Sequence, residues 1–192
     1  MRAMLGRVKS DIDPSSQQPE HDDKDWTWVL ERRCPECDFD AAGYEPSAVG
    51  ADIRRNAAAW ADVLDGDVEQ LRSRRRPDRW SDLEYAAHVR DVYGLYHERL
   101  RMMLDSDDPL YPNWDQNETA IAEAYNEQSP TDVRRDLLSA ADVLADAFDR
   151  LGADQWTRVG RRSDGASFTV DSFARYLIHD PVHHLWDVRS AT

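Results

Sequence analysis

Residues 80–92 read WSDLEYAAHVRDV, and this stretch contains the clearest helix start in the 192-residue chain. Ser81 is a favourable N-cap, and Glu84 three positions later completes a capping box, in which each side chain accepts a hydrogen bond from the other residue's backbone N–H. Apolar residues then recur at helical spacing from Leu83 to about Leu104. The stretch therefore predicts a long amphipathic helix.

Three further segments carry apolar residues at spacings of three and four, and each predicts a long helix. They are residues 47–64, with Ser47 as N-cap, residues 130–151, closed by Gly152, and residues 170–188. Weaker signals predict a short helix over residues 118–125 and a turn, with a small hairpin, at Ser163-Asp164-Gly165. Because no other segment resembles a strand, the predicted fold class is all-α. A four-helix bundle is the simplest way to bury four apolar stripes.

The first 45 residues differ in character from the rest of the chain. Residues 11–25 are polar and lack any apolar period, so we expect them to be disordered. They are followed by the apolar run Trp26-Thr27-Trp28-Val29-Leu30 and by Cys34-Pro35-Glu36-Cys37. We therefore predict that residues 1–45 are an extension, disordered at its start, and that residues 46–192 form the bundle.

Composition excludes several classes of function. The chain has 24 Lys and Arg against 38 Asp and Glu, a net charge of -14, so we expect no binding to nucleic acid. No apolar run approaches the roughly 18 residues that a membrane span requires. Two cysteines exclude a scaffold of several disulfides, and the charged first residues do not resemble a signal peptide. We expect a cytoplasmic protein that acts on a small molecule.

Histidines supply the strongest candidates for chemistry. His179 and His183 are four residues apart on a predicted helix, so their side chains lie about 40° apart on one face and suit one metal ion. His184 lies about 140° from His179 and is not expected to join them. His88 lies on the apolar stripe of its helix and is expected to point inward, whereas His97 is on the opposite side. Three histidines would leave one tetrahedral position open, the pattern of catalytic zinc, although single inward histidines are usually satisfied core residues.

Two carboxylates are placed to orient these rings. Asp91 is three residues from His88, and Asp187 is four residues from His183. Pro181 lies between the paired histidines, lacks an N–H and opposes the carbonyl group of Leu177. We expect a kink there, which would change the angle between the imidazoles.

Two motifs resemble the DinB superfamily. They are Trp80-Ser81-x-Leu83-Glu84-Tyr85-x-x-His88-Val89-x-Asp91 and Arg175-Tyr176-Leu177-x-His179-Asp180-x-x-His183-His184-x-x-Asp187. The resemblance extends over about residues 46–188 and implies a bundle with an up-down-down-up layout. It also implies a divalent metal, often zinc or nickel, held by one residue of the second long helix and two of the fourth. Carried over by position, the ligands are His88, His179 and His183.

The same resemblance suggests a reaction class. The superfamily includes mycothiol-dependent maleylpyruvate isomerase and other transferases of low-molecular-weight thiols, so it implies a metal-dependent transfer of such a thiol to a small electrophile. A metal-dependent hydrolase using the same site, and a stress-associated binding module without enzymatic activity, are the alternatives. A homodimer formed through a face of the bundle also stays open.

Cys34 and Cys37 allow four interpretations. They are relics of a lost zinc knuckle or ordinary packed residues, or zinc ligands together with His21 or a partner chain, or a reversible dithiol pair, or ligands of the bundle's own metal. A complete structural zinc site needs four ligands, and the sequence has no second cysteine pair.

Other candidates lie in loops. Trp114 and Asp115 follow the second long helix and are candidates for substrate contact, although a purely structural loop is the alternative. Around the Ser-Asp-Gly turn, Arg158, Arg161 and Arg162 are candidates for binding an anion such as a carboxylate, against the alternative of a solvated turn. The chain lacks the Gly-rich fingerprint of a nucleotide-binding or S-adenosylmethionine-binding domain.

Overall fold

The computed structural model describes residues 25–190. Residues 1–24 and 191–192 lie outside the described part, and with them His21 and nearly all of the segment predicted to be disordered. Six α-helices occur within the described residues. They are α1 (Val49–Val63), α2 (Val68–Arg72), α3 (Asp82–Asp105), α4 (Gln116–Ala122), α5 (Pro130–Asp149) and α6 (Val170–Ser190).

The predicted helix starts are confirmed in two of the long helices and differ in a third. Ser81 and Glu84 form the expected capping box at the start of α3, and Ser129 caps α5. Ser47, however, does not cap α1, because a 3-10 turn over Pro46–Ala48 precedes that helix and the hydroxyl group of Ser47 bonds Glu45 instead.

The four long helices pack as the predicted four-helix bundle. Helices α1 and α3 each contact both α5 and α6, so the order around the bundle does not follow the order along the chain. Large apolar side chains from every long helix are fully buried between them; examples are Trp60, Tyr93, Leu144 and Phe173. The packing brings residues 85–96 of α3 against residues 173–184 of α6.

Short elements differ from the prediction in detail. The expected short helix is α4 together with a 3-10 turn over Tyr125–Glu127. The predicted hairpin is present as β2 (Val159–Arg162) and β3 (Ser167–Thr169). A two-residue strand, β1 (Leu110–Tyr111), pairs in parallel with β2, so a small three-stranded sheet accompanies the helices.

Pro181 is accommodated inside α6, which runs without interruption from residue 170 to 190. The carbonyl oxygen of Pro181 accepts a hydrogen bond of 2.9 Å from the side chain of Asn56 in α1. The Oδ1 atom of Asn56 in turn accepts one of 2.9 Å from the hydroxyl group of Tyr93 in α3. One buried amide thus joins three of the long helices beside the proline.

Residues 26–45 pack along α6. Val29, Cys34 and Ala41 are almost completely buried. The guanidinium group of Arg175 in α6 donates hydrogen bonds to the carbonyl oxygens of Ala41 and Tyr44, which ties the end of this segment to the helix. Among the described residues, no helix has the length and apolar character needed to cross a bilayer.

Candidate metal centre

Helix α6 places four ligand-type side chains in one stretch: His179, Asp180, His183 and His184. Residues four apart on a helix lie on the same face, and adjacent residues diverge by about 100°. The stretch therefore contains two interleaved pairs, 179 with 183 and 180 with 184. The pairs meet different partners from the rest of the molecule.

The first group consists of His88, Asp180 and His184, which we call the His88 cluster. Their nearest nitrogen and oxygen atoms all lie within 4.8 Å of one another. The Nε2 atom of His88 is 3.3 Å from Oδ1 of Asp180, and Nε2 of His184 is 3.8 Å from the same oxygen. Helix α3 thus supplies one member and α6 the other two.

The His88 cluster contains buried polar atoms without hydrogen-bond partners. His88 is completely buried, and within the described part of the chain neither of its ring nitrogens forms a hydrogen bond. The same holds for Oδ1 of Asp180, although it faces Nε2 of His88. A buried polar atom left without a partner costs about 1–3 kcal/mol. A cation between these atoms would satisfy both lone pairs.

Electrostatics keep this cluster in a form that binds metals. Burial lowers the pKa of His88, so its imidazole is neutral near pH 7. Burial alone would raise the pKa of Asp180, but the neighbouring His88 and His184 hold it well below its usual range. Neutral imidazoles and an ionised carboxylate are the ligating forms of these groups, and two histidines with one carboxylate is a known set for catalytic zinc. The residues present therefore fit a divalent metal.

The second group consists of Cys34, Cys37, His179 and His183, which we call the Cys34 cluster. The structure thus divides the three histidines expected from the sequence: His88 lies with Asp180 and His184, whereas His179 and His183 lie with the two cysteines. His184, which was not expected to join His179, lies in the other cluster. The half-buried His97 belongs to neither.

The two carboxylates expected to orient the rings have other contacts as well. Asp91 bonds Arg90 at 2.7 Å and accepts a hydrogen bond from the hydroxyl group of Tyr125, and no hydrogen bond to His88 occurs among the described residues. The Oδ2 atom of Asp187 is 3.3 Å from Nδ1 of His184 and 3.8 Å from Nε2 of His183. Asp187 therefore directs Nε2 of His184 toward Asp180.

A pocket of about 750 Å³ opens beside both clusters. Trp114 and Asp115 line it, and the ring of Trp114 stacks on that of His88 with centroids 5.3 Å apart. Asp115 also caps α4 by accepting from two backbone N–H groups. Trp26 of the extension also lines the pocket, next to His179 and His183.

Two arginines supply positive charge to this pocket. Arg162 lines it as the sequence suggested, and its guanidinium group is fixed by Asp164 at 2.8 Å and by the hydroxyl group of Tyr176 at 3.2 Å. Arg99 of α3 also lines the pocket and was not identified from the sequence. The other two candidate arginines serve the fold: Arg158 donates to backbone carbonyl groups at the end of α3, and Arg161 pairs with Asp108.

Comparison with known proteins supports the fold. A model of the DinB superfamily matches residues 50–188. The chain belongs to the DinB superfamily. No curated protein matches it.

Among solved structures, this DinB-superfamily chain is similar to YfiT from Bacillus subtilis, described as "a probable metal-dependent hydrolase with an unusual four-helix bundle topology". The two chains are 15% identical, the likeness covers 76% of this chain and 85% of YfiT, and the TM-score is 0.70. At this identity the likeness shows the fold alone.

Proposed function

We propose that this DinB-superfamily chain is a divalent-metal-dependent enzyme that joins a low-molecular-weight thiol, of the mycothiol kind, to a small, negatively charged electrophile. The observation that carries the proposal is the His88 cluster, in which the ring nitrogens of His88 and Oδ1 of Asp180 are buried without hydrogen-bond partners among the described residues, beside a pocket of about 750 Å³. His88, Asp180 and His184 would hold the metal, with zinc or nickel as the first candidates.

The ligand set suits the activation of a nucleophile. A divalent metal bound there supplies Lewis-acid chemistry that lowers the pKa of a thiol or of water. Because Asp180 is the one anion in the set, His88 and His184 leave part of the cation's charge uncompensated, which favours an anionic nucleophile. Three protein ligands also leave coordination positions for a substrate.

The pocket walls supply the means to bind and orient the electrophile. Arg162 is held in place by Asp164 and Tyr176, so its remaining donors are fixed before a ligand enters. Arg99 is buried and its Nε atom has no hydrogen-bond partner among the described residues. A carboxylate of the electrophile or of the thiol would bind these guanidinium groups.

Two tryptophans line the pocket, one beside each cluster. Trp114 covers His88, and Trp26 packs at 5.2 Å on His183. Lower access of water strengthens electrostatic interactions in the pocket and protects a reactive nucleophile from competing hydrolysis. A substrate that fills the pocket between these tryptophans would exclude water, and transfer to a thiol would then be favoured over transfer to water.

Hydrolysis is the second candidate, and it is favoured by the likeness to YfiT, which is described as a probable metal-dependent hydrolase. The same His88 cluster would serve, with water in place of the thiol. Binding without catalysis, as in a stress-associated module, is the remaining outcome.

The test is a comparison of purified protein loaded with zinc or nickel, with and without a thiol. Small electrophiles carrying a carboxylate are incubated with thiols, and products are identified by mass spectrometry. The proposal expects a thiol adduct with the wild type and with His97→Ala, and none with Asp180→Asn. A product formed equally well without thiol would establish the hydrolase, and the absence of any product would favour the binding module.

A further inference from the structure

The segment Cys34-Pro35-Glu36-Cys37 lies directly on α6, opposite one pair of its histidines. The two sulfur atoms and one nitrogen each of His179 and His183 all lie within 4.8 Å of one another. The Sγ atom of Cys34 is 3.6 Å from Nδ1 of His183. Both cysteines are free thiols in the structure.

Two details indicate that these atoms are arranged as the ligands of one metal ion. Nε2 of His179 is buried, and it forms no hydrogen bond within the described residues. Nε2 of His183, on the far side of its ring from Cys34, lies 3.3 Å from a carboxylate oxygen of Glu36. A histidine that ligates a metal through one nitrogen commonly donates its other N–H to a carboxylate. The ring of His183 is oriented in this way.

The surroundings of the four side chains are apolar and aromatic. Trp26 packs on both rings, Phe39 packs at 5.6 Å on His179, and Trp186 packs at 5.7 Å on His183. Cys34 is completely buried. Two thiolates and two imidazoles form a ligand set of structural zinc, in which the protein supplies all four ligands, whereas catalytic zinc keeps one position open.

We propose that Cys34, Cys37, His179 and His183 bind a structural zinc ion that fastens the amino-terminal extension to α6. This site is separate from the His88 cluster and does not depend on the proposed function. Its four ligands are the residues of the Cys34 cluster, none of which belongs to the His88 cluster. It also gives the Cys-Pro-Glu-Cys motif the two further ligands that the sequence did not locate.

The backbone around Cys34 and Cys37 forms a tight turn that suits metal binding. The N–H of Cys34 bonds the carbonyl oxygen of Phe39 at 2.8 Å, and the N–H of Asp38 bonds the carbonyl oxygen of Cys34 at 3.0 Å. Asp38 has a φ of 62°, a conformation that costs a non-glycine residue roughly 1 kcal/mol and needs support from its surroundings. This tight turn holds both thiols on the same side of the loop.

A zinc ion at this position would also shape the neighbouring pocket. Trp26, eight residues before Cys34, contacts both ligand histidines and lines the pocket. Fixing the extension therefore fixes one wall of the pocket that the His88 cluster faces. The zinc ion would be structural, but by fixing the position of Trp26 it would also influence how the pocket binds a substrate.

The decisive experiment is X-ray absorption spectroscopy of the His88→Ala protein loaded with one equivalent of zinc. This variant keeps all four proposed ligands and lacks one member of the other cluster. We expect two sulfur ligands at about 2.3 Å and two nitrogen ligands at about 2.0–2.1 Å. A zinc shell without sulfur, or one that contains bound water in place of an imidazole, would overturn the proposal.

Metal content of matched variants provides the second measurement. Cys37→Ser and His179→Ala should each lose one equivalent of zinc, whereas His97→Ala should retain it. Circular dichroism checks that each variant keeps the helical bundle. The spectroscopy uses protein with both cysteines intact, so it tests the proposal even if a cysteine variant fails to fold. Zinc content that is unchanged in folded Cys37→Ser, or a Cys34–Cys37 disulfide in zinc-saturated protein, would contradict it.

Discussion

The carboxylate of Asp180 lies between two histidines that come from different helices. Its Oδ1 atom is 3.3 Å from Nε2 of His88 and 3.8 Å from Nε2 of His184. Replacing it by asparagine keeps the shape of the side chain and removes the charge. Asp180→Asn therefore tests the role of this residue as a metal ligand without changing how its side chain packs.

We expect Asp180→Asn to weaken divalent metal binding at the His88 cluster by more than about 100-fold, since losing only an outer partner of a ligand weakens binding about 10- to 100-fold. The affinity is measured by competition with a chromophoric chelator. The zinc held by the Cys34 cluster should be unaffected, because its ligands are untouched. Equal affinity in wild type and variant would remove Asp180 from the ligand set.

At this scale the sequence predicted part of the site. The apolar stripe around His88 placed it inside the bundle, and the spacing of His179 and His183 placed them on one face. The spacing of Asp180 and His184 is also four, so helical period alone did not distinguish the two interleaved pairs. Which pair joins His88 depends on which segment packs against each face of α6. That packing is tertiary structure, which the local sequence pattern does not contain.

Between elements, Asn56 is a buried polar residue with hydrogen bonds to two other helices. It donates to the carbonyl oxygen of Pro181 and accepts from the hydroxyl group of Tyr93, so it links α1, α6 and α3. The proline therefore has a polar partner beside it in the bundle core. The proline predicted a kink in the helix, but no pattern in the sequence indicated that Asn56 would contact it.

We expect Asn56→Leu to lower the free energy of unfolding by about 2–6 kcal/mol, because two buried polar groups lose their partner at about 1–3 kcal/mol each. Tyr93→Phe should cost less, since it removes the donor itself and strands only one acceptor. Urea denaturation of both single variants and the double variant measures these values. If the losses of stability in the two single variants added up to the loss in the double variant, the hydrogen bond between Asn56 and Tyr93 would not couple the two residues energetically.

Two glycines in long helices provide a matched pair. A Cβ atom at Gly50 of α1 would collide with the carboxylate of Asp149 and lie 3.1 Å from the carbonyl oxygen of Ala145, whereas one at Gly94 of α3 would meet nothing within 4 Å. We expect Gly50→Ala to destabilise the protein by about 1–3 kcal/mol and Gly94→Ala to stabilise it by about 0.5–1 kcal/mol. Thermal denaturation distinguishes the signs; a stabilising Gly50→Ala would contradict the close approach of α1 and α5.

Local signals explain which elements were predictable. Capping residues and apolar periods lie within a few positions of the helices that they specify, as at Ser81 and Ser129. Strand β1 has two residues and exists because Leu110 and Tyr111 pair with residues about 50 positions later. No local pattern contains that pairing, so the third strand of the sheet was missed.

At the scale of the whole molecule, the folded unit begins at an earlier residue than the region that matches the family. The match begins at residue 50, yet residues 26–45 bury Val29, Cys34 and Ala41 and contribute Trp26 to the pocket. The extension was expected from its composition, but its position on α6 was not. Its contacts are separated from it by most of the chain, which sequence patterns do not reveal.

We expect zinc to stabilise the Asp180→Asn protein, in which only the Cys34 cluster is complete. Zinc at 100 times its dissociation constant should add about 2.7 kcal/mol and raise the Tm by roughly 5–10 °C. Calorimetry before and after treatment with a chelator measures the shift. The double variant Asp180→Asn/Cys37→Ser should show no such shift, and a shift of equal size would place the stabilising metal elsewhere.

The contact between Cys34 and His183 spans 149 positions and encloses α1 to α5 and most of α6. A metal that joins these two residues turns the chain into a closed ring. As long as the metal remains bound, a ring of this size has about 5 kcal/mol less conformational freedom in its unfolded state than an open chain. This contribution acts on the unfolded chain and does not depend on how well the bundle packs. The DinB bundle would therefore tolerate looser packing around its polar pocket than an open chain with the same core.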